Sequence, residues 1–289
     1  MSSSFPFVQF EFPGRLGPPD GRYLLRTPSR DEERTEHPTV LVLKTYGVAS
    51  PSRFRRRRRG SGPPEAEQIP LTRATVVDAD PLAGDEAAQE WIARAERSDE
   101  LRDTLVTTAL AHLNRLLHGQ RAAAADPRVH DVVEEQATAI RLGFGTGDEV
   151  ADGRWTEAGQ AQKRRQRPST DDLRPQERLA AFLKGAEEVD PCETLVLRCR
   201  ADLDAGRVRE AALQLRVALE SLLADLAGQE RAHEDQARDL RELTAFRAAV
   251  GDAANQALRG DLSGDQAEQV TMVLEVGERA LRRRRLLGL

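Results

Sequence analysis

Lysine, aromatic residues, cysteine and long apolar runs are all scarce in this chain of 289 residues, and each scarcity removes a class of explanation. Aromatics make up 4% of the chain against 39% hydrophobic residues, so any core must be built mainly from Leu, Ala and Val. That composition favours helix packing over a large β-sandwich. No stretch approaches the roughly 18 to 20 uninterrupted apolar residues that cross a bilayer, so no membrane span is expected. Residues 1–13 lack the basic segment and apolar run of an export signal, which makes a cytoplasmic protein the expectation.

The two cysteines, Cys192 and Cys199, lie seven apart on one expected helix, about 10 Å from each other, too far for a disulfide. Buried structural thiols are the expectation. Lysine occurs only at Lys44, Lys163 and Lys184, so nearly every cation is Arg. Together with abundant Ala and Gly, this points to a GC-rich coding sequence, in which Arg runs are partly a matter of composition.

The net charge of -5 hides a segregation. Positive charge gathers in residues 1–60 and in two short later pieces, whereas residues 61–150 and 176–280 are acidic. The cations therefore sit in irregular or terminal segments and the anions on expected helices.

The β signal is confined to the N-terminal part. Phe5, Phe7, Gln9 and Glu11 alternate with Val8, Phe10 and Phe12, and Pro13 closes the strand. A Pro-Asp-Gly turn leads to Tyr23–Arg26; Thr39–Val48 is the strongest strand, and Ala74–Asp78 the fourth. Residues 49–64 are rich in Arg, Ser, Gly and Pro and are expected to be disordered.

From residue 83 helices take over. Asp85–Arg97 is one; Ser98 caps a second, which Gly119 ends. Asp126 and Pro127 open a third through Val129, Val132, Val133, Ala137 and Ile140. The glycines of 143–153 and the polar run that follows predict an interdomain linker over 143–174. Beyond it, residues 175–289 predict a helical bundle. Leu179, Phe182 and Leu183 should face inward, and Asp190 and Pro191 should open a helix with Glu193 at the capping-box position. In the helix 207–227, Val208, Ala212, Leu215, Leu219, Leu222 and Leu226 form a seam spaced by threes and fours. Ala211, Ala218 and Leu223 widen that seam beyond a two-stranded one, as a bundle core requires.

The expected fold is therefore mainly α with a small N-terminal β unit: 1–82 as the β unit, 83–142 as helices packed on it, 143–174 as linker, and 175–289 as the bundle. Sequential strands argue against a doubly wound sheet.

Residues 193–227, above all AGRVREAALQLRVALESL, resemble the turn and second helix of a tetratricopeptide-repeat hairpin. Gly206 and Arg207 stand at the turn and Ala218 at the small packing position, with no second copy about 34 residues away. The resemblance implies protein or peptide binding.

Candidate chemical sites are few. Gly143, Gly145 and Gly147 invite a phosphate-loop reading, but a dinucleotide fingerprint needs a preceding strand and a following helix, and the pattern predicts a helix before and a loop after. Phe144 and Trp155, aromatics in a polar linker, should dock on a helical face or a partner. His112 reads as a structural histidine, and His37, His118, His130 and His233 form no metal-binding pair. No catalytic, metal or cofactor-binding residue is nominated.

Arg53, Arg55, Arg56, Arg57, Arg58 and Arg59 form one basic run, Lys163, Arg164, Arg165 and Arg167 a second, and Arg282 to Arg285 a third. Flexible cationic arms of this kind neutralise phosphates. The sequence ranks a noncatalytic scaffold first, acting through helical surfaces and binding a protein partner or itself through Val208, Leu215, Leu219, Leu222 and Leu226. A polyanion-associated protein, with nucleic acid as one partner, ranks second, and an enzyme with a ligand loop at 143–147 third.

Overall fold

The computed structural model describes residues 3–25, 38–47, 69–161, 174–185, 188–227 and 234–287. The fold is mainly α with an N-terminal antiparallel sheet and a C-terminal helical bundle. The chain divides into two compact units, Met1–Arg165 and Gln166–Leu289.

The first unit is built on six antiparallel strands, β1 (Ser4–Pro13), β2 (Gly21–Leu25), β3 (Thr39–Tyr46), β4 (Leu71–Asp78), β5 (Ala139–Thr146) and β6 (Glu157–Gln160), in the order β2-β3-β4-β1-β5-β6. The alternation of β1 decides what each face meets. Val8, Phe10 and Phe12 join Leu41, Leu43, Ala74, Val76, Ile140 and Leu142 in a core. Helices α1 (Asp85–Arg97) and α2 (Asp99–Ala124) close it with Ala95, Val106, Ala109, Leu113 and Leu117.

Ser98 caps α2, its side chain accepting from the Leu101 amide at 3.2 Å. Replacing it with Ala should cost about 1 kcal/mol. Faster amide exchange in the first turn of α2, with later turns unchanged, is the expected signature. The helix runs past Gly119, where its end was expected, through the good helix formers Ala122–Ala124 to a left-handed Ala125.

Two expectations fail between residues 126 and 161. The third helix is absent: residues 134–136 form a 3-10 turn and 139–146 the strand β5. The apolar spacing that imitated a helix ends at Ile140, where a period-two pattern starts, and pairing with β1 from Ser4↔Thr146 to Glu11↔Ala139 decides the matter. The expected linker is likewise folded as far as residue 161, as the end of β5, a short helix α3 (Gly147–Ala151) and β6. The division between units falls at Arg165, inside the expected linker 143–174 and beyond its folded part.

The second unit contains α4 (Arg174–Leu183), α5 (Pro191–Asp204), α6 (Val208–Leu226), α7 (Glu234–Arg259) and α8 (Gly264–Leu287). Gly206 turns α5 into α6 with φ +70°, a left-handed conformation that favours glycine. Leu215, Leu219, Leu222 and Leu226 are buried, with Val208 packed beside them, among Leu243, Val250, Ala253, Val273, Leu274 and Leu281. The seam is thus a bundle core closed within the chain, and self-association through it is corrected: these leucines already have their partners. Both thiols are free and buried, and Cys199 donates to the Ala211 carbonyl at 3.2 Å. Burial first, then neighbouring carboxylates, pushes both up to about 12.

Glu193 departs from its expected capping role. Its carboxylate turns into the bundle and accepts from Arg178 at 2.9 and 3.0 Å, and from Arg284 and Arg285 at 3.3 Å. Asp239, fully buried, accepts from Arg279 at 2.9 Å and Arg283 at 2.5 Å. Three of the four arginines expected to form a terminal cationic arm, Arg283, Arg284 and Arg285, are therefore wired to acidic residues of α5 and α7. A buried carboxylate without them would carry a large desolvation cost.

Candidate functional site

The opposite face of the sheet carries the polar residues of alternate strand positions. Strand register sets Lys44, Arg73 and Glu11 abreast in one row. The next row runs Arg22, Val42, Thr75, Gln9, Arg141 and Gln160 across all six strands. The row after it holds Val40, Val77, Phe7, Gly143 and Ala158.

Part of this face is covered by residues 147–156. Thr146 and Glu149 form a reciprocal capping box for α3, and the Glu149 carboxylate also accepts from the Thr156 hydroxyl at 2.7 Å. Val150 packs on Phe7 and Val77. The buried Gln9 amide donates to Thr75 Oγ1 at 2.8 Å and to the Gly153 carbonyl at 3.1 Å, where φ of +65° requires a left-handed turn. Trp155 lies 6.1 Å from Phe7 between ring centroids, with the guanidinium carbons of Arg73 and Arg141 each 5.6 Å from its ring. Arg73 also stacks on Tyr46 at 4.8 Å.

The glycines have a structural role here. A Cβ on Gly143 would come 2.2 Å from the Glu157 carbonyl oxygen, and one on Gly145 3.1 Å from Trp155 Cα. Both lie where the chain recrosses β5, so the ligand-loop reading of 143–147 is corrected to a strand crossed closely by backbone. Phe144 points to the other face and is buried with Ala88 and Ile92, so it is a core residue and not a free recognition residue. Trp155 docks on its own sheet.

Charge concentrates on this face from its middle strands to the β2–β3 end. Glu11 Oε1 lies 2.9 Å from both Arg73 and Arg141. Burial opposes its ionisation, but the hydrogen bonds and charges of Arg141 and Arg73 prevail and hold the carboxyl below its usual range. Asp152 faces Lys44 at 3.3 Å, Arg22 at 3.4 Å and Arg154 at 3.5 Å. The hydrogen bond from Lys44, then its charge and those of Arg154 and Arg22, lower the Asp152 pKa. Asp20 accepts from the Thr45 hydroxyl at 2.7 Å and from its amide at 3.0 Å. Between these groups opens a groove of about 310 Å3, lined by Asp20, Arg22, Lys44, Thr45, Tyr46 and Asp152 among others.

No family model matches the chain, and comparison with curated proteins and with solved structures finds no match.

The basic residues Arg53, Arg55, Arg56, Arg57, Arg58, Arg59, Lys163, Arg164, Arg165 and Arg167 lie outside the described residues, as do His37 and His233. His112 is half-buried in α2, where burial first and the Arg115 charge second lower its pKa. Among the described residues no group of three or more His, Cys, Asp or Glu is placed to hold a metal ion. The sequence did not single out Arg22, Tyr46 or Asp152, and it noted Lys44 only as a rare lysine. Alternation puts Lys44 and Tyr46 on one face of β3, but Arg22 and Asp152 reach that face only through folding.

Proposed function

We propose that this chain is a noncatalytic interaction protein of the cytoplasm that binds a protein partner through a helical surface of its C-terminal unit. The carrying observation is α4. Arg178 binds Glu193 of α5 with both carboxylate oxygens and stacks over Phe182 at 4.8 Å, fixing one face of the helix. Leu179 and Leu183, each one residue further on and so turned by about 100°, share the neighbouring face and are 54% and 80% exposed. They were expected inside; with Arg178 anchored on Glu193, the helix presents them outward. Two leucines at i and i+4 on a helix face are the anchors that helix-recognising grooves use.

The likeness of the α5–α6 hairpin to a tetratricopeptide-repeat unit supports the same class of partner. Reduced, buried thiols fit a reducing compartment.

The test pairs the wild-type chain with Leu179→Ser/Leu183→Ser. These side chains are exposed, so the double variant should retain the wild-type far-ultraviolet spectrum. Crosslinking capture from the native cell should recover a protein with the wild type that the variant loses, or sedimentation should show self-association that the variant abolishes. Identical captured proteins together with identical sedimentation would overturn the proposal.

A further inference from the structure

At the edge of the groove by β2 and β3, cations crowd onto one carboxylate. Three cations, Arg22, Lys44 and Arg154, converge on the single carboxylate of Asp152 at 3.3 to 3.5 Å. Charge-assisted hydrogen bonds that are well made run near 2.7 to 2.9 Å. Glu11, one strand pair away, shows such lengths with its two arginines at 2.9 Å. Asp152 is thus held loosely, and it stays 44% exposed. The other carboxylate of the groove, Asp20, is engaged by Thr45. Among the described residues, three cations therefore share the Asp152 carboxylate, two of them, Arg22 and Lys44, lining the groove and Arg154 beside it, and two more share Glu11.

The cations are also placed rather than trailing. Arg22 Nε donates to the Ala151 carbonyl at 2.8 Å, which fixes its guanidinium at the mouth of the groove, and Lys44 rises from a strand between Arg22 and Arg73. Tyr46, 40% exposed and braced by Arg73, forms an aromatic wall. The groove volume stands at the small end of ligand sites, which run from roughly 300 to 1,000 Å3.

From this geometry we infer that the groove binds a small organic phosphomonoester, whose phosphate takes the position between Arg22, Lys44 and Arg154 that Asp152 fills in its absence, with the organic part resting against Tyr46. A dianion matches several convergent donors better than one carboxylate does, because it offers more acceptor oxygens at shorter range. Asp152 then acts as an internal competitor. It keeps the cations gathered when the site is empty and swings toward solvent when the ligand enters. The site is independent of the α4 surface and lies in the other unit.

Phenyl phosphate is the probe, titrated into the full-length 15N-labelled chain while amide shifts are followed. Saturable shifts are expected at residues 20–22, 44–46 and 151–154, with benzoate, a monoanion of similar shape, binding more weakly. Lys44→Gln should weaken phenyl phosphate about fivefold, and Asp152→Asn should tighten it by about the same factor. Because a carboxylate that merely braces the site would give a loss on removal, the opposite sign identifies the competitor. Absence of saturable shifts, equal binding of benzoate, or weaker binding by Asp152→Asn would each overturn the inference.

Discussion

Gly143→Val should destabilise the first unit by at least about 3 kcal/mol, beyond the usual range for an overpacked core. The first atom of any side chain there would stand 2.2 Å from the Glu157 carbonyl oxygen and 2.8 Å from Ala158 Cα, both backbone of β6. A side chain can rotate out of such a contact, but a paired strand cannot. The strand must leave, and the crossover that seats Trp155 on Phe7 goes with it. Both tryptophans, Trp91 and Trp155, belong to this unit, so urea unfolding of the whole chain followed by tryptophan fluorescence reads it selectively. Gly147→Ala is the control: its added carbon meets nothing closer than 3.5 Å and should change the midpoint little. If the two variants unfold alike, β6 does not cross Gly143 as described.

Glu193→Ala should cost the bundle about 3 to 5 kcal/mol, the range seen when one partner of a buried ion pair is removed. Its carboxylate is 3% exposed and Arg284 is 8% exposed, so the arginines left behind could not recover their hydration in place. Glu220→Ala makes the contrast. Its pair with Arg247 is short, at 2.5 Å, but its members are 46% and 61% exposed, and its loss should cost less than about 1 kcal/mol. Far-ultraviolet thermal unfolding compares the two variants.

Acid adds a second reading of Glu193. Burial raises its pKa, but the hydrogen bonds and charges of Arg178 and Arg285 outweigh that and the net shift is downward. A depressed carboxyl contributes stability that is fully present above its unfolded value, about 4.5, and is lost as pH falls through the lower folded value. The wild type should therefore lose more stability than Glu193→Ala between neutral pH and pH 3, and parallel curves would contradict the network.

Much of this architecture is legible in the residues. The alternation through Phe5–Phe12 marks β1, and the wide seam from Val208 to Leu226 marks a bundle helix. What misled was the stretch from Val129 to Trp155. Its apolar residues match helical spacing up to Ile140, and its glycines look like punctuation between domains. The correct signal is Ile140, Leu142 and Phe144 alternating with Arg141, Gly143 and Gly145, a strand whose second face is kept bare for a crossing chain. Glycine in alternate positions says that something passes close, but not what. The groove was illegible for a related reason: Arg22, Lys44 and Asp152 come from separate segments, and Asp152 reaches the other two only because α3 folds over the sheet. Glu193 shows the limit from the other side. Its position fits a capping box, and only the tertiary neighbourhood of Arg178, Arg284 and Arg285 turns it inward.

The place of β1 sets an order of events during synthesis. β1 precedes the other five strands in the chain yet lies inside the sheet, and its two neighbours, β4 and β5, come some 60 to 140 residues later. Until residue 146 has emerged, both long edges of the most aromatic segment of this protein cannot be paired as they finally are. In the α5–α8 bundle each helix packs on the next as it emerges, and the contacts that wait are those α8 makes back to α5, such as Arg284 with Glu193. Loop closure over long separations slows folding. In pulse-labelled exchange during refolding, bundle amides should gain protection before those of β1, and a newly made first unit should be the part most exposed to aggregation.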